Sequence, residues 1–509
     1  MKKTREIRTW LIFAAAWLVL AGVAAAQGFA DLEKRVFEKT LPNGLKVILL
    51  PRTNAPVISM VTYADVGAVD ENQNATGLAH IFEHMAFKGT TTVGTKNFAE
   101  EVAAMKKEDE TFLAWRSEWL RRPRPDEARL KQLEAAMKQA QAEAQKLVVS
   151  NEIGEILERE GAQDLNAFTS PDQTVYLYSL SSNKLELWAT LEADRFTNPV
   201  LREFYKEKDV IMEERRMGMS QPIRRLIEDF VAVAFKASMY RSFVIGHMSD
   251  LQGITRAQAR EWFSRYYGAK NLTAVVVGDV DPARAMPILE RTMGKIPSGE
   301  KPGPVITQEP EQRSEKRVLM EDPSQPMLLI AYHKPGINDP DHAVYEAVSD
   351  ILAGGRSSRL YKALVKEKKL AVAVQAITQL GQKYPGLFLF LAVPNKGKTN
   401  AECEAAIYEE IEKLKTEPVA PEELEGLKAR AKSEFLSTIG SNMGLAMQLA
   451  ESQNLRGDWR ETFRWLAQID KVTPEDIQRI AKKTFVKMNR TVGAIETASE
   501  QPKAQTAQK

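Results

Sequence analysis

Apolar residues crowd into short runs early in the chain. Leu45, Val47, Ile48, Leu49 and Leu50 follow the turn signal Pro42-Asn43-Gly44, and Val57, Ile58, Met60, Val61 and Tyr63 form a second run. Runs of this length between turn residues predict strands over 45–50 and 57–63, joined as a hairpin. The period then changes to that of a helix over 77–87, delivered by a loop with Gly67 and the polar stretch Asp70 to Asn74. From 98 to about 149 the chain is helical and charged, broken only at Arg121-Arg122-Pro123-Arg124-Pro125. Two prolines forbid a continuous helix, so two helices joined by a basic tip are expected. In the second of them Leu130, Leu133, Met137, Ala140, Ala144 and Leu147 recur at alternating steps of three and four, a narrow coiled-coil seam. Val102, Met105, Phe112 and Trp119 of the first are placed to pack against it. Such a hairpin serves either as a spacer or as an arm that touches a partner or substrate. Strands over 161–170 and 173–178 follow, then helices over 185–196 and 202–217.

An internal repeat comes next. Thr255 to Asn271 and Thr473 to Asn489 have the same spacing of 16 residues, with Tyr267 and Phe485 at the same offset of 12. Each copy reads as a capped helix running into a strand. The expected fold class is α+β: two homologous α+β domains, 27–294 and 319–498, joined by the Pro- and Gly-bearing linker 295–318. The first carries the hairpin insertion at about 98–150, and a polar, disordered tail is expected over 499–509. The second domain opens with a strand at 327–332 and a helix at 341–352. That helix takes the place of the 77–87 helix but offers only His342 and Glu346, so no metal is expected on it.

Length and composition add bounds. The chain has 509 residues, 44% hydrophobic and 27% charged, too long for one core and globular in balance. Lys2, Lys3, Arg5 and Arg8 precede an apolar run from Trp10 to Val23 and then Ala24-Ala25-Ala26, the pattern of a secretory signal over 1–26. The same segment also fits an uncleaved N-terminal anchor. An exported protein, periplasmic or extracellular, is therefore expected. Residues 1–26 hold a net charge of +3, which turns the chain total of +2 into −1 for the remainder. Without a basic excess there is no footprint for nucleic acid. The single cysteine, Cys403, leaves no internal disulfide and reads as a packed small hydrophobe rather than a nucleophile.

The chemistry concentrates in His80, Glu83 and His84. Residues three and four apart share one face of a helix, so two imidazoles and a carboxylate meet there. Imidazoles at i and i+4 can hold one zinc ion with the carboxylate beside its water, and His-x-x-Glu-His is the inverted zinc-protease motif. Histidine is scarce, five in the chain, which makes the coincidence specific. A catalytic zinc usually takes a third protein ligand. Glu207 and Glu214, seven apart, lie on one helical face and Glu213 about 120° away, so Glu214 is the favoured ligand and Glu207 the carboxylate that orients an imidazole. Solvated helix charges among Lys206, Lys208 and Arg215 are the plainer alternative. His247, His333 and His342 read as structural.

These residues resemble the pitrilysin and insulinase type of inverzincin peptidases, which include the mitochondrial processing peptidases. The resemblance lies in Gly77 to Thr90, in Leu165-Asn166-Ala167-Phe168-Thr169-Ser170, in Glu207 to Glu214 and, more weakly, in Ser357-Ser358-Arg359-Leu360-Tyr361. It implies paired domains closing as a clamshell on a peptide substrate, one Zn²⁺ per chain on His80, His84 and Glu214, and Glu83 as the base. It also implies that Asn166, Ala167 and Phe168 hold substrate main chain by edge addition. Many relatives carry an Arg and a Tyr seven apart in the second half, where this chain has Val365 and Val372. The resemblance thus implies a homologous partner subunit supplying that pair, in a heterodimer, or else a homodimer. The expected function is a zinc-dependent endopeptidase. The alternatives are a catalytically silent scaffolding or assembly subunit of the same fold and a peptide-binding module with a structural zinc.

Overall fold

A computed structural model describes residues 31–498. The expected signal segment 1–26 and tail 499–509 lie outside the described residues. β1 (Phe37–Thr40), β2 (Lys46–Pro51), β3 (Val57–Ala64), β4 (Gln163–Thr169), β5 (Thr174–Ser181) and β6 (Leu272–Gly278) form one sheet in the order β1-β2-β6-β3-β5-β4. The expected hairpin of 45–50 with 57–63 does not form. β6 lies between β2 and β3, parallel to the first and antiparallel to the second. All seven residues of β6 are buried. A strand apolar on both faces belongs at the centre of a sheet, and that demand overrides the local pairing.

α1 (Leu78–Met85) buries Leu78, Ile81, Phe82 and Met85 in the core beneath this sheet, which leaves His80, Glu83 and His84 on its other side. Its start is tightly determined. Gly77 sits at φ +95°, and a Cβ there would come within 2.8 Å of the Ile245 carbonyl oxygen, so only glycine fits. Buried Glu71 accepts hydrogen bonds from the Gly77 and Ala79 amides at 2.9 and 2.8 Å, pairing donors that the helix itself leaves open. Burial raises the Glu71 carboxyl to about 8 in spite of those two bonds.

The insertion is a helical hairpin, α2 (Phe98–Trp119) and α3 (Glu127–Gln145), with Ala140 and Ala144 buried on the seam. Val102 departs from expectation and is 47% exposed. Glu101 and Glu108 take the inward positions on α2, paired with Arg202 and Arg256, themselves each 1% exposed. Two buried ion pairs thus bolt the hairpin to the domain. α4 (Phe204–Met219) and α5 (Pro222–Ala234) follow, and then α6 (Arg256–Tyr266), capped by Thr255, runs into β6.

The second half repeats the plan. β7 (Lys316–Asp322), β8 (Met327–Lys334), α7 (His342–Ala353), β9 (Ala371–Leu380) and β10 (Gly386–Pro394) are followed by α8 (Pro421–Gly440), α9 (Asn442–Leu455), α10 (Pro474–Thr484) and β11 (Arg490–Thr497). The sheet order β7-β11-β8-β10-β9 matches β2-β6-β3-β5-β4, and β11 is parallel to β7 and antiparallel to β8, as β6 is to β2 and β3. β7 was not expected; it crosses from the proline-rich linker into the second half.

The two α+β domains of the clamshell share their cores. α9 lays Leu445, Leu449 and Ala450 on Val61, Val275 and Val277 of the first sheet. α5 lays Leu226 and Phe230 on Leu329, Leu389 and Ile495 of the second. The approach is close enough that a Cβ at Gly493 would stand 2.6 Å from the Phe230 ring. Among the described residues no helix is long and apolar enough to cross a membrane.

Two expected outcomes follow from this packing. Leu449→Ala, at a fully buried position, should cost about 2–5 kcal/mol in denaturant unfolding. Because α9 belongs to the second half of the chain but packs on the first sheet, the variant should still unfold in one transition; two separated transitions would contradict the shared core. Glu71→Ala, which strands two amides at the start of α1, should cost about 1–3 kcal/mol by the same measurement.

Candidate metal centre

α4 packs against α1 and brings Glu214 to the two histidines. Its Oε2 lies 3.8 Å from His80 Nε2 and 3.8 Å from His84 Nε2. The three atoms all fall within 4.8 Å of one another. These separations are too long for hydrogen bonds. They suit a shared ion, since ligands about 2.0–2.1 Å from a tetrahedral zinc stand roughly 3.3 Å apart. The two imidazole rings meet edge to face with centroids 4.7 Å apart.

A chain of polar contacts holds His84 in this orientation. Its Nδ1 is 2.8 Å from Glu207 Oε1, leaving Nε2 toward Glu214. Lys88 Nζ lies 2.5 Å from the other Glu207 oxygen and 3.6 Å from Glu203. Against burial, which alone would raise it, hydrogen bonds from His84 and Lys88 hold the Glu207 carboxyl down at about 2. Burial and the neighbouring His84 push the His80 imidazole down to about 4, so it is neutral and its lone pair is free. Burial raises the Glu83 carboxyl above its ordinary value, offset in part by Thr169 and His84 and reinforced by Glu214. Two neutral-capable imidazoles and a carboxylate fit a zinc site with one position left for water.

Glu83 and His84 also line a cavity of about 440 Å³ with Phe87, Lys88, Asn166 and Ala167. β4 forms its wall. It has β5 on one side and no strand on the other, so its outer edge is open among the described residues. Asn166 Oδ1 accepts the Ala167 amide at 2.9 Å. Phe168 does not join Asn166 and Ala167 in the cavity. Its ring packs on the core shared with α9, on the face of β4 opposite Ala167, because successive side chains of a strand alternate in direction.

Other sequence candidates fall elsewhere. Glu213 is exposed and pairs with Arg216 at 2.8 Å. His247 Nδ1 is 3.8 Å from Glu228, and His333 Nε2 meets the Ala234 carbonyl at 3.2 Å. Cys403 is buried with its thiol 3.5 Å from the Leu370 carbonyl, and burial raises it to about 11. Lys88 and Glu71 were missed from sequence. Lys88 stands four residues after His84, a signal that could have found it; Glu71 acts by loop closure and leaves none.

The second half differs on the corresponding helix. Glu346, Ser349 and Asp350 on α7 repeat the three- and four-residue spacing of His80, Glu83 and His84. Asp350 is engaged by Arg430 of α8, whose Nε is 3.1 Å from both of its carboxylate oxygens. In the second half an ion pair thus stands at the spacing that carries the imidazoles in the first.

Comparison with known proteins agrees with this division. The profile described as Insulinase (Peptidase family M16) matches residues 46–114 and 126–246, and the one described as Peptidase M16 inactive domain matches 253–431. The chain is 26% identical over 456 residues to a protein named zinc protease PqqE from Helicobacter pylori, covering 88% of this chain and 89% of that one. A solved protease from Helicobacter pylori has the same fold, with TM-score 0.76, 24% identity and coverage of 91% and 99%. So does the periplasmic protease PqqL from Escherichia coli, with TM-score 0.67 and 17% identity; the match covers 91% of this chain but 48% of that one. With both halves matched in order, the chain belongs to the pitrilysin and insulinase peptidase family, M16.

Proposed function

We propose that this chain is an exported zinc-dependent endopeptidase, periplasmic or extracellular, that hydrolyses peptides or unfolded segments laid along β4. The observation that carries the reading is the convergence of His80, His84 and Glu214 beside Glu83. His80, His84 and Glu214 would hold one Zn²⁺ per chain. When bound, zinc supplies a Lewis acid that polarises a carbonyl and brings the pKa of water toward neutrality. Glu83 takes a proton at its carboxylate and later returns it to the leaving amine, a task suited to a carboxyl raised by burial. Glu207 fixes the His84 tautomer through Nδ1, and Lys88 in turn fixes Glu207. The open edge of β4 pairs with substrate main chain beside Asn166 and Ala167, with Phe168 contributing backbone alone.

The same reading includes a second unit. Val365 is partly buried in the second core and Val372 is 53% exposed, so neither position offers a polar group to a substrate. PqqL, a chain about twice the length of the matched region, supports a working assembly built from two such units. The partner would be a homologous subunit or a second copy. The description of 253–431 as inactive concerns the half in which Asp350 and Arg430 pair, and is compatible with a working first half.

Glu83→Gln should lower cleavage of an unfolded peptide by about 10²–10⁴-fold while zinc content measured by atomic emission stays at one per chain; unchanged cleavage would sink the reading. Glu207→Gln should weaken zinc affinity by about 10–100-fold in competition with a chelator. Purified alone, the chain should gain activity when a homologous subunit carrying the Arg and Tyr is added. Full turnover without any addition would remove the partner and leave the zinc chemistry standing.

A further inference from the structure

The second half has kept the cleft but not its metal ligands. α7, α8 and β9 enclose a cavity of about 460 Å³, within the roughly 300–1,000 Å³ usual for small-molecule sites. It adjoins a smaller one of about 180 Å³, the two sharing Glu346, Gln379, Gln448 and Trp465. Lys334, His342 and Arg456 stand around the smaller end.

None of the three has an ion-pair partner within 4 Å among the described residues, though Arg456 and His342 both lie against the Trp465 ring at 5.6 Å. Lys334 is 4% exposed, yet among the described residues the only hydrogen bond of its ammonium is 3.3 Å to the adjacent Pro335 carbonyl. The Arg456 guanidinium has no hydrogen bond, and neither cation has a carboxylate within 4 Å among the described residues; Glu346 and Glu461 act on Arg456 only at longer range. His342 Nδ1 is buried and unpartnered as well. Nearby acids are already engaged: Glu461 holds Arg464 and Gln468, each at 2.8 Å, and Glu346 accepts the Thr378 hydroxyl at 2.6 Å. Lys334 is withdrawn from water with Glu346, Asp339 and Asp172 acting on it only from beyond ion-pair distance, an arrangement that is costly, and an anion entering this end would pair with it and with the half-buried Arg456. The wider chamber has the opposite character. Glu346 and Glu434 both line it with no ion-pair partner among the described residues, and Glu434 acts electrostatically on Glu346.

We propose that this double cavity binds a small zwitterion, a free amino acid or a short peptide, with its α-carboxylate at Lys334 and Arg456 and its ammonium in the acidic chamber. The site does not depend on the peptidase reading. It assigns the second half a recognition role in the cavity beside the ion pair of Asp350 and Arg430.

The test is calorimetric titration of the full chain carrying Glu83→Gln, so that probes are not consumed. Dialanine or alanine should bind saturably at up to millimolar concentration; tighter binding of one or the other separates a peptide end from a free amino acid. Dialanine amide and N-acetyl-dialanine should each bind about tenfold more weakly or worse. Adding Arg456→Gln should cost at least about tenfold in affinity, whereas adding Glu214→Gln should cost nothing. The capped probes test the unaltered cavity, so the outcome does not hang on whether the Arg456 variant folds. No saturable binding, equal binding of capped probes, or equal binding of acetate or inorganic phosphate would overturn the zwitterion site. Loss of binding with Glu214→Gln but not with Arg456→Gln would overturn it too, placing the probe at the metal centre and leaving the peptidase reading intact.

Discussion

The site depends on one constraint: α1 must be apolar on one side and ligating on the other. Leu78, Ile81, Phe82 and Met85 anchor the helix in the core, and that anchoring sets the rotation at which His80, Glu83 and His84 emerge. A helix held by hydrophobic contacts alone could slide or roll. Glu71, bonded to the Gly77 and Ala79 amides, and Gly77, in a conformation that only glycine takes easily, fix where it begins. The imidazoles are therefore positioned by the protein's own packing, which is the preorganisation a metal site would need.

Distance from α1 is bridged by charge. Glu207 and Lys88 tie α4 to the end of α1, and Arg202 and Arg256 tie the inserted hairpin to the same region through Glu101 and Glu108. The two arginine pairs are shielded from water, so breaking either leaves an uncompensated charge in a poorly solvated place. Such contacts specify one arrangement more than they add net stability. The insertion can be long without loosening the site because its root is pinned by ions and not by a flexible loop.

Duplication explains the rest of the architecture. Two sheets of the same strand order are each covered by a helix lent from the other half, α9 on the first and α5 on the second. The reciprocal cover makes the halves one folding unit, yet their clefts have diverged. One gathers imidazole and carboxylate around a point; the other pairs Asp350 with Arg430 and leaves Lys334 and Arg456 beyond it without an ion-pair partner within 4 Å among the described residues.

Much of the site was legible in the order of residues because helical periodicity is local. His80, Glu83 and His84 share a face by spacing alone, as do Glu207 and Glu214, and the prolines at 123 and 125 mark the hairpin without reference to anything distant. The repeat was legible for the same reason, since a capped helix running into a strand is a short-range pattern. Tertiary structure alone decided what depends on contacts between remote segments. β6 entered between β2 and β3 because its seven residues needed cover on both faces; Phe168 turned from the cavity because α9 of the other half offered it a core; Glu101 and Glu108 were drawn inside by arginines a hundred or more residues away. Burial and long-range pairing are properties of the whole chain, and no window of sequence contains them.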